Sequence, residues 1–146
     1  MKIFFSASVS RSRKLLPVTQ DLVSEIESLG HEVLTKHLVD EDYTADPNWD
    51  KNIDAIALYQ QEIKRMESAD ALITECTVPS FGAGFFIDHC VAIQKPLLSL
   101  HYGLTLENAP LMLRGRTDIN LQMYSEDNSK LILKKFFESI SSNEAV

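Results

Sequence analysis

The sequence predicts an α/β domain: a five-stranded, mostly parallel sheet with helices on both faces, flavodoxin-like or Rossmann-like. Three observations predict it. Short apolar runs rich in aromatic and β-branched residues alternate with amphipathic stretches along the chain, the pattern of repeated strand–helix units. The run DALITECT (70–77) is apolar at both parities, as a central strand covered on both faces must be. The 146 residues, 45% hydrophobic and 24% charged, suit one soluble domain with a core of its own.

The elements follow in order. KIFFS (2–6) reads as the first strand. Residues 13–29 carry Leu15, Leu16, Val18, Leu22, Val23, Ile26 and Leu29 at helical spacing, with Pro17 tolerated in the first turn and Gly30 suited to the helix end. HEVLTKHL (31–38) is expected to be the second strand, and 39–49 a polar surface loop. Residues 50–69 are expected to be a helix with Ile53, Ile56, Ala57, Ile63 and Met66 on one face. The third strand is 70–77. TVPSFGAG (77–84) reads as a tight loop and FFIDHCVAIQ (85–94) as a buried helix. KPLLSLHY (95–102) is the fourth strand. Residues 103–117 are a loop with a helical turn near Ala109–Leu113. DINLQMY (118–124) is the last strand, and 126–142 a closing helix with Leu131, Ile132, Phe136, Phe137 and Ile140 inward. The natural strand order is 2-1-3-4-5. It has a topological switch between the first and third strands, and ligands bind at such a switch, at the carboxyl ends of the strands.

The composition narrows the partners. Formal net charge is -7, which argues against binding a nucleic acid polymer, because that needs basic faces. No apolar run approaches the roughly eighteen residues of a membrane span, and the N-terminus lacks a full signal-peptide core, so the expected location is the cytoplasm. Cys76 and Cys90 make neither a disulfide framework nor a CxxC metal spacing. Asp88-His89-Cys90 are consecutive on a helix and cannot converge on one ion. No metal or cofactor is expected.

Against that acidic background, FFSASVSRSRK (4–14) is a basic spot with four serines. It would follow the first strand at the switch point, facing TVPSFGAG after the third. Hydroxyls and backbone N–H groups at a helix N-terminus suit phosphate. Ser8 and Ser80, with Arg11 or Arg13, would suffice for one phosphate, and Gly82 and Gly84 allow close backbone approach. The bland reading, a solvated serine loop with helix caps, stands beside this one. Neither GK[ST] nor GxGxxG is present. Phe85 and Phe86 could stack on a base or simply fill the core. Tyr43 and Trp49, in the acidic loop, could form a lid, and Arg114 and Arg116 could reach a phosphate or a partner subunit.

PSFGAGFFID joined to FFSAS resembles the nucleoside 2-deoxyribosyltransferase superfamily, closest to its 2'-deoxynucleoside 5'-phosphate N-hydrolases. MESADALITECTVPSFGAG, AIQKPLLSL and LMLRGR stand in the family's order and spacing, so residues 1–146 are expected to be one deoxyribosyltransferase-like domain. The resemblance implies cleavage of an N-glycosidic bond through a carboxylate. It places the family's nucleophilic Glu at Phe86, its Tyr at Phe4 and its Asp at Glu62. It matches Ser8 and Ser80 to the phosphate serines, the first-loop Arg to Ser10, and a serine shared across the family's dimer to Pro110.

The expected site therefore has Ser8, Ser10, Arg11, Ser80, Gly82 and Gly84 on phosphate, Phe4 and Phe86 against base or sugar, and Glu62, Glu75 or Asp88 as the acting carboxylate. Asp88 lies two residues, about 200° of helix, beyond Phe86. Two functions fit: hydrolysis of the N-glycosidic bond of a (deoxy)nucleoside 5'-monophosphate, or nucleotide sensing or sequestration without catalysis. A protein that keeps only the fold is a third. The expected assembly is a homodimer.

Overall fold

A computed structural model describes residues 1–9, 13–43 and 48–143; the backbone alone is described at Arg13, Trp49 and Asn143. The strands are β1 (Lys2–Ser6), β2 (Glu32–Val33), β3 (Ala71–Glu75), β4 (Leu97–Tyr102) and β5 (Asn120–Tyr124). The helices are α1 (Leu16–Ser28), α2 (Ala55–Ser68), α3 (Phe81–Ala92), α4 (Leu111–Arg114) and α5 (Ser129–Asn143). The five strands form one parallel sheet in the order β2-β1-β3-β4-β5, as the sequence predicts.

Alternation along the strands divides the core in two. Ile3, Phe5, Ile73, Leu98, Leu100 and Tyr124 meet Leu22, Val23 and Ile26 of α1 and Leu133, Phe136, Phe137 and Ile140 of α5. Phe4, Leu72 and Leu97 meet Met66 of α2 and Ile87 and Cys90 of α3. A strand residue therefore faces α2 and α3 only if it shares the parity of Phe4, Leu72 or Leu97.

Several boundaries differ from the sequence reading, each for a local reason. The second strand spans two residues rather than 31–38. After Leu34 N–H bonds Ile3 C=O at 2.9 Å, the buried Thr35 hydroxyl takes both backbone groups of Phe5, accepting from its N–H at 2.9 Å and donating to its C=O at 2.6 Å. The side chain ends the ladder by substituting for it, and Lys36–Val39 turn into a 3-10 helix. The second helix begins at Ala55, because Asp54 is its N-cap, accepting from Ile56 N–H at 2.9 Å and Ala57 N–H at 3.1 Å. Of its expected apolar face only Met66 is fully buried, and Ile56 is 72% exposed. The expected 77–84 loop is instead a cap and a first turn: Ser80 is extended and α3 starts at Phe81. In α5, Leu131 is exposed while Phe136, Phe137 and Ile140 point inward.

The ends of α1 and α3 share one form. Gly30 N–H bonds Glu27 C=O at 2.9 Å and His31 N–H bonds Ile26 C=O at 3.3 Å, with Gly30 at φ 86°. Gln94 N–H bonds Val91 C=O and Lys95 N–H bonds Cys90 C=O, both at 3.0 Å, with Gln94 at φ 56°. Both are Schellman caps. Lys95 then sends its ammonium to the C-terminal carbonyls of α2: Met66 at 3.1 Å, Glu67 at 2.8 Å, and Ala69.

Candidate active site

The strand order reverses between β1 and β3, so their carboxyl ends diverge into a crevice. A cavity of about 450 Å³ opens there, roofed by α2 and floored by the start of α3. It is mostly apolar. Phe4 and Phe86 lie ring against ring at 4.8 Å, Phe85 meets Phe86 at 5.7 Å, and Tyr59 meets Phe85 at 5.9 Å. Phe81 stands fully exposed at the mouth. The polar groups are few: Ser6, Tyr43, Tyr59, Glu62 and Ser80. An apolar chamber with a few convergent polar groups is the usual form of a small-molecule site.

Glu62 reaches the cavity because α2 carries it there two turns before its C-terminus. Its Oε1 accepts from Arg65 Nη1, the partner one helical turn on, and the two side chains are only 16% and 23% exposed. His37 and Tyr43 lie within the field of this pair. Burial, then the Arg65 charge, lowers the His37 pKa, while burial, then the Glu62 charge, raises that of the Tyr43 phenol. Ser80 sits where the α3 dipole is positive, and its Oγ accepts from Ala83 N–H at 3.4 Å. Gly82 and Gly84 follow in the first helical turn. A Cβ at Gly84 would meet nothing within 4 Å and one at Gly82 only Ser80 Oγ at 3.7 Å, so protein does not fill the space over this turn.

The other expected residues lie elsewhere or beyond view. Ser8 borders a much smaller cavity, about 10 Å³, with Ala7, Val9, Val78 and Glu75. Glu75 shares the parity of Phe5 and Ile73 and so faces α1 and α5, not the aromatic cavity. Its Oε1 accepts from Thr77 N–H at 3.2 Å, from the Thr77 hydroxyl, and from Tyr124 O–H at 3.4 Å. Burial raises its pKa against those three bonds. Asp88, on α3, is 79% exposed and pairs with Arg116 at 3.1 Å, outside the cavity lining. Ser10 and Arg11 lie outside the described residues, as does the Trp49 side chain. Ser6, Tyr59 and Arg65 were not read from the sequence as site residues. Ser6 could have been found as two residues past Phe4 on one strand face, and Arg65 as three past Glu62 on one helix face. Among the described residues no cluster of three or more His, Cys, Asp or Glu is placed to hold a metal ion.

A parallel sheet ordered 2-1-3-4-5 with a serine-capped helix after β3 is a flavodoxin-like doubly wound fold, and it matches the deoxyribosyltransferase fold. A 2-deoxyribosyltransferase from Bacillus psychrosaccharolyticus superposes with TM-score 0.60 at 15% identity, covering 96% of each chain. The CMP N-glycosidase of Clostridium botulinum superposes with TM-score 0.58 at 20% identity, covering 95% of this chain and 99% of that one. The 5-hydroxymethyl-dUMP N-hydrolase of Danio rerio is 30% identical over 146 residues, 98% of this chain and 100% of that protein. A Thermofilum pendens protein that bears the name 2'-deoxynucleoside 5'-phosphate N-hydrolase 1 is 30% identical over 123 residues, 84% of this chain and 83% of its own. The chain belongs to this family of 2'-deoxynucleoside 5'-phosphate N-hydrolases. No protein-family model matches it.

Proposed function

We propose that this protein hydrolyses the N-glycosidic bond of a (deoxy)nucleoside 5'-monophosphate, releasing the base. The observation that carries the reading is the cavity at the topological switch, which sets a carboxylate, Glu62, across an aromatic chamber from a serine-capped helix N-terminus. The chamber suits a flat heterocycle, because aromatic faces stack on one. Ser80 and the start of α3 suit the phosphate, with Ser8 the further hydroxyl that the resemblance assigns to it. The names of the relatives point to the same bond. Phe4 and Phe86 then contact base or sugar.

The protein acts as a homodimer in the cytoplasm under this reading. Large apolar side chains follow the carboxyl ends of β3 and β4: Phe81 is 100% exposed, Leu104 93%, Leu111 75% and Met112 85%, a surface suited to a second copy. Cys76 and Cys90 are free and buried, in keeping with a reducing compartment.

The test is chromatography after incubation with a panel of deoxynucleoside and ribonucleoside monophosphates. Free base is the expected product. Nucleotides that raise the melting temperature but yield no base would make the protein a nucleotide sensor or store instead.

A further inference from the structure

We propose that base release here is a single displacement by water, with Glu62 as general base and no sugar–enzyme intermediate; this rests on the hydrolytic reading above. A two-step route needs two functional groups. One must hold the sugar covalently, and another must activate the water that later frees it. Among the described residues lining the cavity, Glu62 is the one carboxylate, and no His, Lys or Cys accompanies it. The floor against it is hydrocarbon, Phe4 on Phe86. The Ser80 hydroxyl oxygen accepts from Ala83 N–H at 3.4 Å, as the cap of α3. Burial and the nearby Glu62 charge keep the Tyr43 phenol protonated.

One carboxylate can complete one displacement. A water oxygen bonds to the anomeric carbon on the side away from the base. Glu62 Oε2 takes a proton from that water, while Arg65 holds Oε1 and fixes the plane of the carboxylate. The C–N bond breaks, its electron pair leaves with the base, and the base nitrogen takes a proton from solvent. The sugar phosphate departs with inverted configuration, and Glu62 returns its proton to water. If Glu62 attacked the sugar itself, no second carboxylate, His, Lys or Cys among the described lining residues would activate water against the ester, and the ester would accumulate.

The experiment incubates the full chain with dUMP, dCMP, dAMP and dGMP, each with its isotopically labelled free base added. It follows base release, label in the remaining nucleotide, and intact protein mass within one turnover. The expected result is released base, no mass adduct and no label exchange. Glu62→Gln should lower kcat by about 10²–10⁴-fold, with the nucleotide Kd little changed, and Glu62→Asp should restore part of the rate. An adduct mapped to any residue, or labelled nucleotide, overturns the single displacement while leaving hydrolysis standing. An unchanged kcat in Glu62→Gln removes Glu62 as the base. No release from any nucleotide overturns the hydrolytic reading and this inference with it.

Discussion

Glu75 is buried behind the sheet with its carboxylate bound by Thr77 and Tyr124. Burial raises its pKa, so the folded state holds the proton more tightly than the unfolded chain. The stability linked to this group is full below the unfolded value of 4.5 and is lost as pH rises through the higher folded value. Urea unfolding of the native protein between about pH 4 and 8 should therefore show a loss of stability that Glu75→Gln lacks; parallel profiles would show that Glu75 does not titrate in this range. Asp88 makes a contrasting case. It is exposed, pairs with Arg116 and lies outside the cavity. Asp88→Asn should leave base release nearly unchanged in the same chromatographic assay. Strand parity places Glu75: it stands an even number of residues from Ile73, and Ile73 faces α1. That rule was available in the sequence, but it needs the fold to say which face holds the crevice.

The element scale shows where sequence patterns stop. The alternation of strands and helices was legible, because apolar periodicity reports burial directly. The ends were not, because single hydroxyls and carboxylates set them. Thr35 ends β2 by taking over the backbone groups of Phe5, Asp54 starts α2 and Ser80 starts α3. Each competes with or replaces a main-chain bond, and hydropathy does not register it. Ser80→Ala should destabilise the fold by about 1 kcal/mol through the lost cap, read from urea unfolding, and should also weaken inorganic phosphate binding by calorimetry. Loss of stability with unchanged phosphate affinity would leave Ser80 as a cap alone. Lys95 closes the other end of α2 on three carbonyls. Lys95→Met should cost about 1–2 kcal/mol, because those carbonyls and the helix dipole lose their cation.

For the whole molecule, strand order and switch-point crevice were readable before any coordinates, since connection rules leave few topologies for this alternation. The site was readable in part. Ser80 came from the loop chemistry at the switch point, Glu62 and Phe86 from motif resemblance, and the structure brings all three to one cavity. Ser6 lines it as well, and Arg65 pairs with Glu62 beside it, through geometry that no motif names. The exposed apolar groups beyond β3 and β4 carry the prediction at this scale. The native protein should sediment as a dimer, and Phe81→Ser combined with Met112→Asp should shift it toward monomer without lowering its helical content. A native protein that sediments as a monomer at all concentrations would exclude the homodimer.

The Schellman caps of α1 and α3 differ in one respect, glycine at 30 and glutamine at 94, both with positive φ. A side chain in that backbone region carries strain of about 1–2 kcal/mol, of which glycine returns part as unfolded-chain entropy. The cap of α3 is thus an unused reserve. Gln94→Gly should raise the melting temperature by a few degrees while sitting at the opposite end of α3 from the cavity. A chain hardened in this way would serve as the parent for every site variant. Loss of activity in Glu62→Gln or Ser80→Ala could then be assigned to chemistry, because the starting protein would have stability to spare.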